Sequence, residues 1–238
     1  KEIYSFEKVE GAKHWTEFLS LGKKENWKTI EQIKAEIKEI ELATIIYTSG
    51  TTGTPKGVMH SHKSIISNIK GAIPLLPVNE NHRSLSFLPL NHIFERLITY
   101  LFMSAGVSIF YAESMEKIGE NIKEVKPHIF TAVPRLLEKV YDKIVAKGTE
   151  LTGIKKALFF WALNLGLKYE LQKQNGWWYE FQLSLANKII FKKWREALGG
   201  NIVCLVTGGA ALQPRLARVF TAGKIPVMEG YGLSEAPA

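Results

Sequence analysis

The chain has 238 residues, enough for one large or two small domains, and its 46% hydrophobic and 23% charged residues are typical of globular proteins. A net charge of +8 suits a polyphosphate, an anionic lipid or a nucleic acid, but the lysines are scattered, so most are expected to solvate the surface. The single cysteine, Cys204, excludes an internal disulfide, and no apolar run reaches the ~18 residues that span a bilayer. We therefore expect a cytoplasmic protein in which Cys204 is a buried structural thiol.

The order of the predicted elements indicates the fold class. The segment "NWKTIEQIKAEIKEIELA" at residues 26–43 is charged and loosely helical, and we interpret residues 1–42 as a connector or the tail of a preceding segment. From residue 43 onward, predicted strands alternate with predicted helices. The strands are predicted at 43–48, 84–90, 106–112, 128–133, 201–209 and 225–232. The helices are predicted at 61–73, 91–105, 115–126, 134–148 and 212–223. This alternation predicts an α/β fold with a mostly parallel sheet and helices on both of its faces.

Residues 151–200 interrupt the alternation and form an aromatic and basic insert. Four of the six tryptophans of the chain lie in it, among several lysines. Apolar residues recur at helical spacing in three sets. These sets are Ile154, Leu158, Trp161 and Leu165; Phe181, Leu185 and Ile189; and Ile190, Trp194 and Leu198. Two interpretations stay open: amphipathic helices packed on the body of the protein, or a contact with anionic membrane or an apolar substrate entrance.

A loop rich in hydroxyls and glycines, "TSGTTGTPKG" at residues 48–57, follows the first of these strands. Glycines let backbone N–H groups point towards one ligand, Ser and Thr add hydroxyl donors, and a lysine adds positive charge, so the loop is suited to a polyphosphate. It is not a P-loop, because the fifth residue after Gly50 is Pro55 and Lys56 is followed by Gly57. Two other candidate site loops, at 207–212 and 229–235, also follow predicted strands. Ligands of such sheets bind at the carboxyl ends of strands, where these loops can converge.

Four motifs carry a resemblance to a known family. "YTSGTTGTPKGV" at residues 47–58 resembles the phosphate-binding signature of the adenylate-forming enzymes, which include acyl-CoA synthetases, luciferases and peptide-synthetase adenylation domains. "LPLNHIFE" at 88–95 resembles their proline–histidine motif, and "TGGAAL" at 207–212 resembles their adenine-pocket loop. "YGLSE" at 231–235 resembles their tyrosine–glutamate motif, with Ser234 in place of threonine. The resemblance covers 43–238 and is greatest to long-chain fatty acyl-CoA synthetases.

The resemblance implies a role for each motif residue. The β- and γ-phosphates of ATP would be held by Thr48, Ser49, Gly50, Thr51, Thr52, Gly53 and Lys56. The adenine pocket would be lined by Gly209, Ala210 and Ala211, with Tyr231 stacked on the base between Gly230 and Gly232. Ser234 would bond the α-phosphate, Glu235 would hold Mg²⁺, and His92 would face the acyl carboxylate. Without the family resemblance, Tyr231 could be an ordinary half-buried aromatic residue, Glu235 a solvated loop acid, and His92 a residue that caps or packs at the start of a helix. Glu95 and Arg96 are expected to pair with other chain segments.

The implied reaction uses ATP, Mg²⁺ and coenzyme A and needs no protein nucleophile. A fatty acid carboxylate attacks the α-phosphate of ATP, pyrophosphate leaves, and the thiol of coenzyme A then displaces AMP. Members of the family carry a small carboxyl-terminal lid after the tyrosine–glutamate motif, so we expect residues 43–238 to be a partial core and the chain alone to be incomplete for catalysis. Three alternatives stay open: an adenylate-forming enzyme for another acid, a nucleotide-binding protein without turnover, and, against the order of the motifs, a nucleic-acid-binding module. Contact with the inner face of the membrane is a further expectation.

Overall fold

A computed structural model describes residues 2–22, 26–49 and 53–236, and a boundary between Glu41 and Leu42 divides it into two compact units. The first unit contains two short parallel strands, β1 (Tyr4–Ser5) and β2 (Lys13–His14), and two helices, α1 (Trp15–Ser20) and α2 (Trp27–Glu36). Neither helix has a buried residue. The charged segment that was predicted to be loosely helical contains α2.

The second unit is built on a five-stranded sheet in the order β6-β5-β7-β8-β9, in which every neighbouring pair is parallel. Its strands are β5 (Arg83–Ser86), β6 (Ser108–Tyr111), β7 (Ile129–Ala132), β8 (Cys204–Thr207) and β9 (Val227–Glu229). All residues of β7 and β8 are buried, as expected for inner strands of a parallel sheet. The predicted α/β fold is confirmed, although the strands are shorter than predicted.

Helices cover both faces of this sheet. They are α3 (His62–Ala72), α4 (Ile93–Ser104), α5 (Ile118–Val125), α6 (Pro134–Glu150) and α10 (Pro214–Ala222). Along β8, Cys204 and Val206 pack in a core with α3 and α4, whereas Leu205 packs in a second core with α5, α6 and α10. This alternation follows from the two-residue period of a strand, so each face of the sheet has its own hydrophobic core.

The insert predicted at 151–200 is helical. It comprises α7 (Gly153–Leu167), a 3₁₀ turn (Leu171–Lys173), α8 (Gly176–Ala186), a π-helical turn (Asn187–Phe191) and α9 (Lys192–Ala197). Trp194 and Leu198 are buried, so the last apolar set packs on the body of the protein. The set Phe181, Leu185 and Ile189 instead faces outward, because α8 packs through Leu183 and Ala186.

The hydroxyl-rich segment differs from the prediction. β3 (Leu42–Thr48) pairs antiparallel with β4 (Lys56–Ser61), and this hairpin is separate from the five-stranded sheet. β4 was not predicted, because its glycine and polar residues obscure the alternation of apolar and polar side chains. The strand predicted at 43–48 is present as β3, and within the described chain Ile46 is its one buried residue. Among the described residues, no helix is both long and apolar enough to cross a membrane.

Candidate functional site

The hydroxyl-rich loop closes the β3–β4 hairpin. Thr48 and Lys56 are paired in the ladder, Thr48 half-buried and Lys56 exposed. Ser49 and Gly53 lie in the loop between them, and Gly53 has a φ of +82°, which favours glycine. Gly50, Thr51 and Thr52, predicted to hold phosphates, lie outside the described residues. Lys56 therefore begins a strand instead of lying within the loop, and its ammonium forms no ion pair with another described residue.

The loop after β8 is held by the neighbouring strand. The N–H of Leu212 donates a hydrogen bond to Oε1 of Glu229, the last residue of β9, at 2.9 Å. The N–H of Gly230 donates to the carbonyl oxygen of Thr207 at 2.8 Å. Between these ties the predicted adenine-pocket residues are exposed: Gly209, Ala210 and Ala211. The loops at 207–212 and 229–235 are thus brought together by the pairing of β8 with β9.

Phe94, in the first turn of α4, packs beneath both of these loops. A methyl group added at Gly208 would lie 2.9 Å from Cε2 of Phe94 and 3.2 Å from the carbonyl oxygen of Gly230. The same ring carbon lies 3.9 Å from the position of a methyl group added at Gly230. Gly208 is needed here because a side chain would separate the aromatic ring from the loops. Sequence reasoning did not single out Phe94, since an aromatic residue in a helix is usually part of the core.

His60 joins the hairpin to the tyrosine–glutamate loop. Its side chain is 2% exposed and lies beside the backbone of Ser234. Burial lowers the pKa of this imidazole below its ordinary value, and the nearby backbone of Ser234 acts in the opposite direction. Nε2 of His60 is buried without a partner among the described residues. His60 was not predicted because the strand that carries it was not recognised.

The first turn of α4 is also tied to the hairpin and the sheet. Nη1 of Arg96 donates to Oγ1 of Thr44 in β3 at 3.0 Å, and its Nε donates to the carbonyl oxygen of Leu90 at 3.0 Å. Glu95 accepts hydrogen bonds from Ser86 and Thr131. Glu95 and Arg96 therefore pair with other chain segments, as expected.

The remaining motif residues are accessible. Tyr231 is 88% exposed, Gly232 and Glu235 are exposed, and Ser234 is half-buried. His92 is exposed at the N-cap position of α4, where its side chain makes no capping bond. The alternative of an ordinary packed aromatic does not apply to Tyr231 within the described chain, and the capping alternative does not apply to the imidazole of His92.

A metal site formed by protein side chains alone is not found among the described residues. They contain no group of three or more His, Cys, Asp or Glu side chains that could bind a metal. Mg²⁺ is usually held by one or two carboxylates together with phosphate oxygens and water. The exposed carboxylate of Glu235, next to the hydroxyl of Ser234, suits such a site.

Cys204 is unsuited to nucleophilic chemistry. It is buried in β8, and burial raises the pKa of its thiol to about 12. The thiolate is the reactive form of cysteine and is negligible near neutral pH at such a value. The expectation of a buried structural thiol is confirmed.

Comparison with known proteins identifies a family and a group of relatives. A family model described as "AMP-binding enzyme" matches residues 5–238. Long chain acyl-CoA synthetase 3 of Arabidopsis thaliana is 36% identical over 251 residues, which cover 99% of this chain and 36% of that protein. A long-chain-fatty-acid–CoA ligase of Xenopus laevis is 36% identical over 232 residues, 93% of this chain and 31% of its own length. The chain thus spans about a third of these relatives.

Solved structures show the same fold. A luciferase-like enzyme of the mealworm Zophobas morio matches with a TM-score of 0.60 and 20% identity, over 98% of this chain and 43% of its own. The adenylation domain of a carboxylate reductase of Mycobacterium chelonae matches with a TM-score of 0.60 and 23% identity, over 82% of this chain and 27% of its own.

Proposed function

Because the chain belongs to the AMP-binding enzyme family, we propose that the whole protein activates a long-chain fatty acid with ATP and transfers the acyl group to coenzyme A. The observation that carries this proposal is the meeting of three motif segments: the loops after β8 and β9 are tied together, and Phe94 of the proline–histidine motif supports both. The hairpin that carries the fourth motif lies beside Ser234 through His60. The names of the curated relatives support the long-chain fatty acid as substrate. The activity is assigned to the whole protein because the chain spans about a third of those relatives.

In this proposal, positive charge and hydrogen-bond donors hold the nucleotide. Lys56 neutralises charge on the outer phosphates. The hydroxyls of Thr48 and Ser49 donate hydrogen bonds to them, and hydrogen bonds to charged groups contribute about 1.5–3 kcal/mol each. The remaining members of this group are Gly50, Thr51, Thr52 and Gly53. Tyr231 stacks on the adenine. The adenine pocket and its flanking glycines are Gly209, Ala210, Ala211, Gly230 and Gly232.

The reacting centre in the proposal lies beside Ser234, Glu235 and His92. Ser234 binds the α-phosphate and His92 faces the fatty acid carboxylate. Glu235 would hold Mg²⁺, and the ion would supply positive charge to the phosphates. Orientation of the carboxylate against the α-phosphate converts a bimolecular encounter into a step between positioned groups. The thiol of coenzyme A then displaces AMP, so no side chain of the protein acts as a nucleophile.

Pyrophosphate release by the whole protein tests this proposal. We expect release that requires ATP, Mg²⁺ and a long-chain fatty acid, and formation of acyl-CoA once coenzyme A is added. Amino acids, aryl acids and short-chain acids are the comparison substrates. Release with one of these but not with a fatty acid would assign the protein to another adenylate-forming activity. Binding of ATP without any pyrophosphate release would favour a nucleotide-binding protein without turnover.

We also propose that α8 contacts the surface of an anionic membrane, such as the inner face of the cell membrane. Trp177 is 78% exposed and Trp178 is 58% exposed on this helix, and Phe181 stacks on Trp178 with 5.7 Å between ring centroids. Lys188 and Lys193 follow on the continuing helix and are exposed. Exposed Trp and Phe beside basic residues suit the interface of an anionic bilayer, where each basic residue contributes about 1 kcal/mol.

Vesicle sedimentation tests the membrane contact. The whole protein is expected to bind vesicles that contain anionic phospholipid and to be released as the salt concentration rises. Replacement of Trp177 and Trp178 by Ser should abolish this binding. Absence of binding to anionic vesicles at low salt would leave the helix as a packing element only.

A further inference from the structure

Glu95 is the one buried acidic side chain among the described residues. It is 2% exposed in the first turn of α4. No described Lys, Arg or His compensates its charge. Burying a carboxyl group without a cation is unfavourable unless hydrogen bonds satisfy its oxygens. The hydrogen-bond partners of Glu95 therefore indicate why a carboxyl group occupies this position.

Both partners lie at the carboxyl ends of neighbouring strands. Oγ of Ser86, the last residue of β5, donates to Oε1 of Glu95 at 2.5 Å. Oγ1 of Thr131, near the end of β7, donates to Oε2. β5 and β7 are adjacent and parallel in the sheet. The single carboxyl group thus bridges the ends of two strands and fixes the first turn of α4 on them.

This first turn supports the proposed nucleotide site. Phe94 directly precedes Glu95, and its ring packs against Gly208 and near Gly230 in the two loops that follow β8 and β9. His92 lies at the N-cap position of the same helix. A displacement of the turn would therefore move the support of both loops and the exposed imidazole together.

We propose that Glu95, through its bonds to Ser86 and Thr131, is a positioning residue that sets the first turn of α4, and through Phe94 the two glycine-containing loops, for nucleotide binding and adenylation. This inference rests on the proposed function. It assigns to Glu95 a geometric role, in which the carboxyl group spans two hydroxyls, and not a role for its negative charge.

The chemistry of the carboxyl group supports a geometric role. Burial raises the pKa of Glu95, and the hydrogen bonds from Ser86 and Thr131 act in the opposite direction. Each of these hydroxyls donates to Glu95, and each can also act as an acceptor. A glutamine side chain has the same length and also offers one acceptor and one donor group. Aspartate keeps the charge but is one methylene shorter, so it cannot span both hydroxyls with α4 in place.

The test compares Glu95→Gln, Glu95→Asp and Glu95→Ala in the whole protein. The measurements are nucleotide affinity with ATP as the probe, pyrophosphate release with a long-chain fatty acid, and melting temperature. Glu95→Gln is expected to keep kcat/KM for ATP within about threefold of wild type, because both hydroxyls keep a partner. Glu95→Asp and Glu95→Ala are expected to lose about 10-fold to 100-fold, because misplacement of a site by about 1 Å can cost that much.

A matched control is Asn187→Ala. Asn187 is also buried, and its Nδ2 donates to the carbonyl oxygens of Leu183 in α8 and Ala222 in α10. Its loss should lower the melting temperature and leave the KM for ATP of the folded protein unchanged. Equal kinetic losses in Asn187→Ala and Glu95→Ala would show that kinetics only follow stability and would overturn the proposal. Higher activity of Glu95→Asp than of Glu95→Gln would overturn it by assigning the role to charge.

The two proposals fail in different ways. A wild-type protein that binds ATP but releases no pyrophosphate contradicts the proposed function, and the ATP affinities of the three Glu95 variants still test the positioning role. A wild-type protein that releases pyrophosphate, with all three variants equal to it, contradicts the positioning role alone. A wild-type protein that does not bind ATP contradicts both.

Discussion

The candidate site at the carboxyl end of the sheet and the helical segment 153–197 differ in which side chains they expose and which they bury. At the candidate site, Lys56 on the hairpin and Tyr231 and Glu235 after β9 are exposed, and the buried polar residues nearby include Glu95 and His60. In the helical segment, aromatic side chains are exposed on α8, and other aromatic side chains form the buried core. The candidate site therefore has buried polar side chains beneath exposed ones, whereas the helical segment has buried aromatic side chains beneath exposed aromatic ones.

Hydrogen bonding explains how each region keeps its shape. In the helical segment, Nη1 of Arg195 donates to Oδ1 of Asn187 at 2.8 Å and to the carbonyl oxygen of Gly223 at 2.7 Å. These bonds fix the π-helical turn to the end of α10. At the sheet end, the bonds of Glu95 fix a helix start to strand ends that border the candidate site. Loss of the first set is expected to affect stability, whereas loss of the second is expected to affect nucleotide binding as well.

The largest expected effect is on stability, from Phe191→Ala. Phe191 is 0% exposed and packs edge-to-face on Trp194 with 5.0 Å between ring centroids. Truncating a buried Phe usually costs about 3–5 kcal/mol. Urea unfolding of the whole protein should therefore show a decrease of that size in the free energy of unfolding of the unit that contains Phe191. The matched control is Phe181→Ala, because Phe181 is 58% exposed and should change stability by no more than about 0.5 kcal/mol. Equal losses in the two variants would contradict the assigned orientation of α8.

The next effect is on nucleotide binding at the candidate site. Lys56→Ala and Glu235→Gln should each reduce kcat/KM for ATP by about 10-fold to 100-fold, equivalent to about 1.5–3 kcal/mol for a hydrogen bond to a charged group. Lys70→Ala is the control, because Lys70 is an exposed lysine in the last turn of α3. ATP kinetics in both site variants that equal those of the control would show that these side chains do not belong to one nucleotide site.

The smallest effect concerns His60 and pH. Because the folded protein holds the pKa of His60 below its ordinary value of 6.5, the unfolded chain binds the proton more tightly. The free energy of unfolding should therefore decrease as the pH falls below that value, and increase again as the imidazole becomes neutral. His60→Leu should show a weaker decrease between about pH 7 and pH 5 in urea unfolding. An unchanged pH dependence in this variant would mean that His60 is not buried as a neutral imidazole.

Much of the fold was predictable because its signals are local. The helices that begin at Pro134 and Pro214 start where proline favours a first turn, and the buried strands at Ile129–Ala132 and Cys204–Thr207 are short apolar runs. β4 was missed, since Lys56–Ser61 is stabilised as a strand mainly by pairing with β3 and lacks a clear apolar alternation. Strand pairing depends on a partner that lies elsewhere in the chain.

In the candidate site too, some residues were predictable from local sequence and others were not. The motif residues of the loops were named from their order and types, whereas Phe94, His60 and the partners of Glu95 were not. Glu95 and Thr131 are 36 residues apart, and His60 and Ser234 are further apart still, so no local pattern relates them.

Residue order and composition were sufficient to predict the alternation of strands and helices, to identify the four motifs, and to predict that the single cysteine is structural. Helical spacing also identified the apolar sets of the insert, because the period of a helix is a property of the backbone. Only tertiary packing decided that Trp194 is buried while Phe181 is exposed, and that a carboxyl group at position 95 lies between two strand ends. Burial is decided by which elements meet, and that depends on contacts between residues that are distant in the sequence.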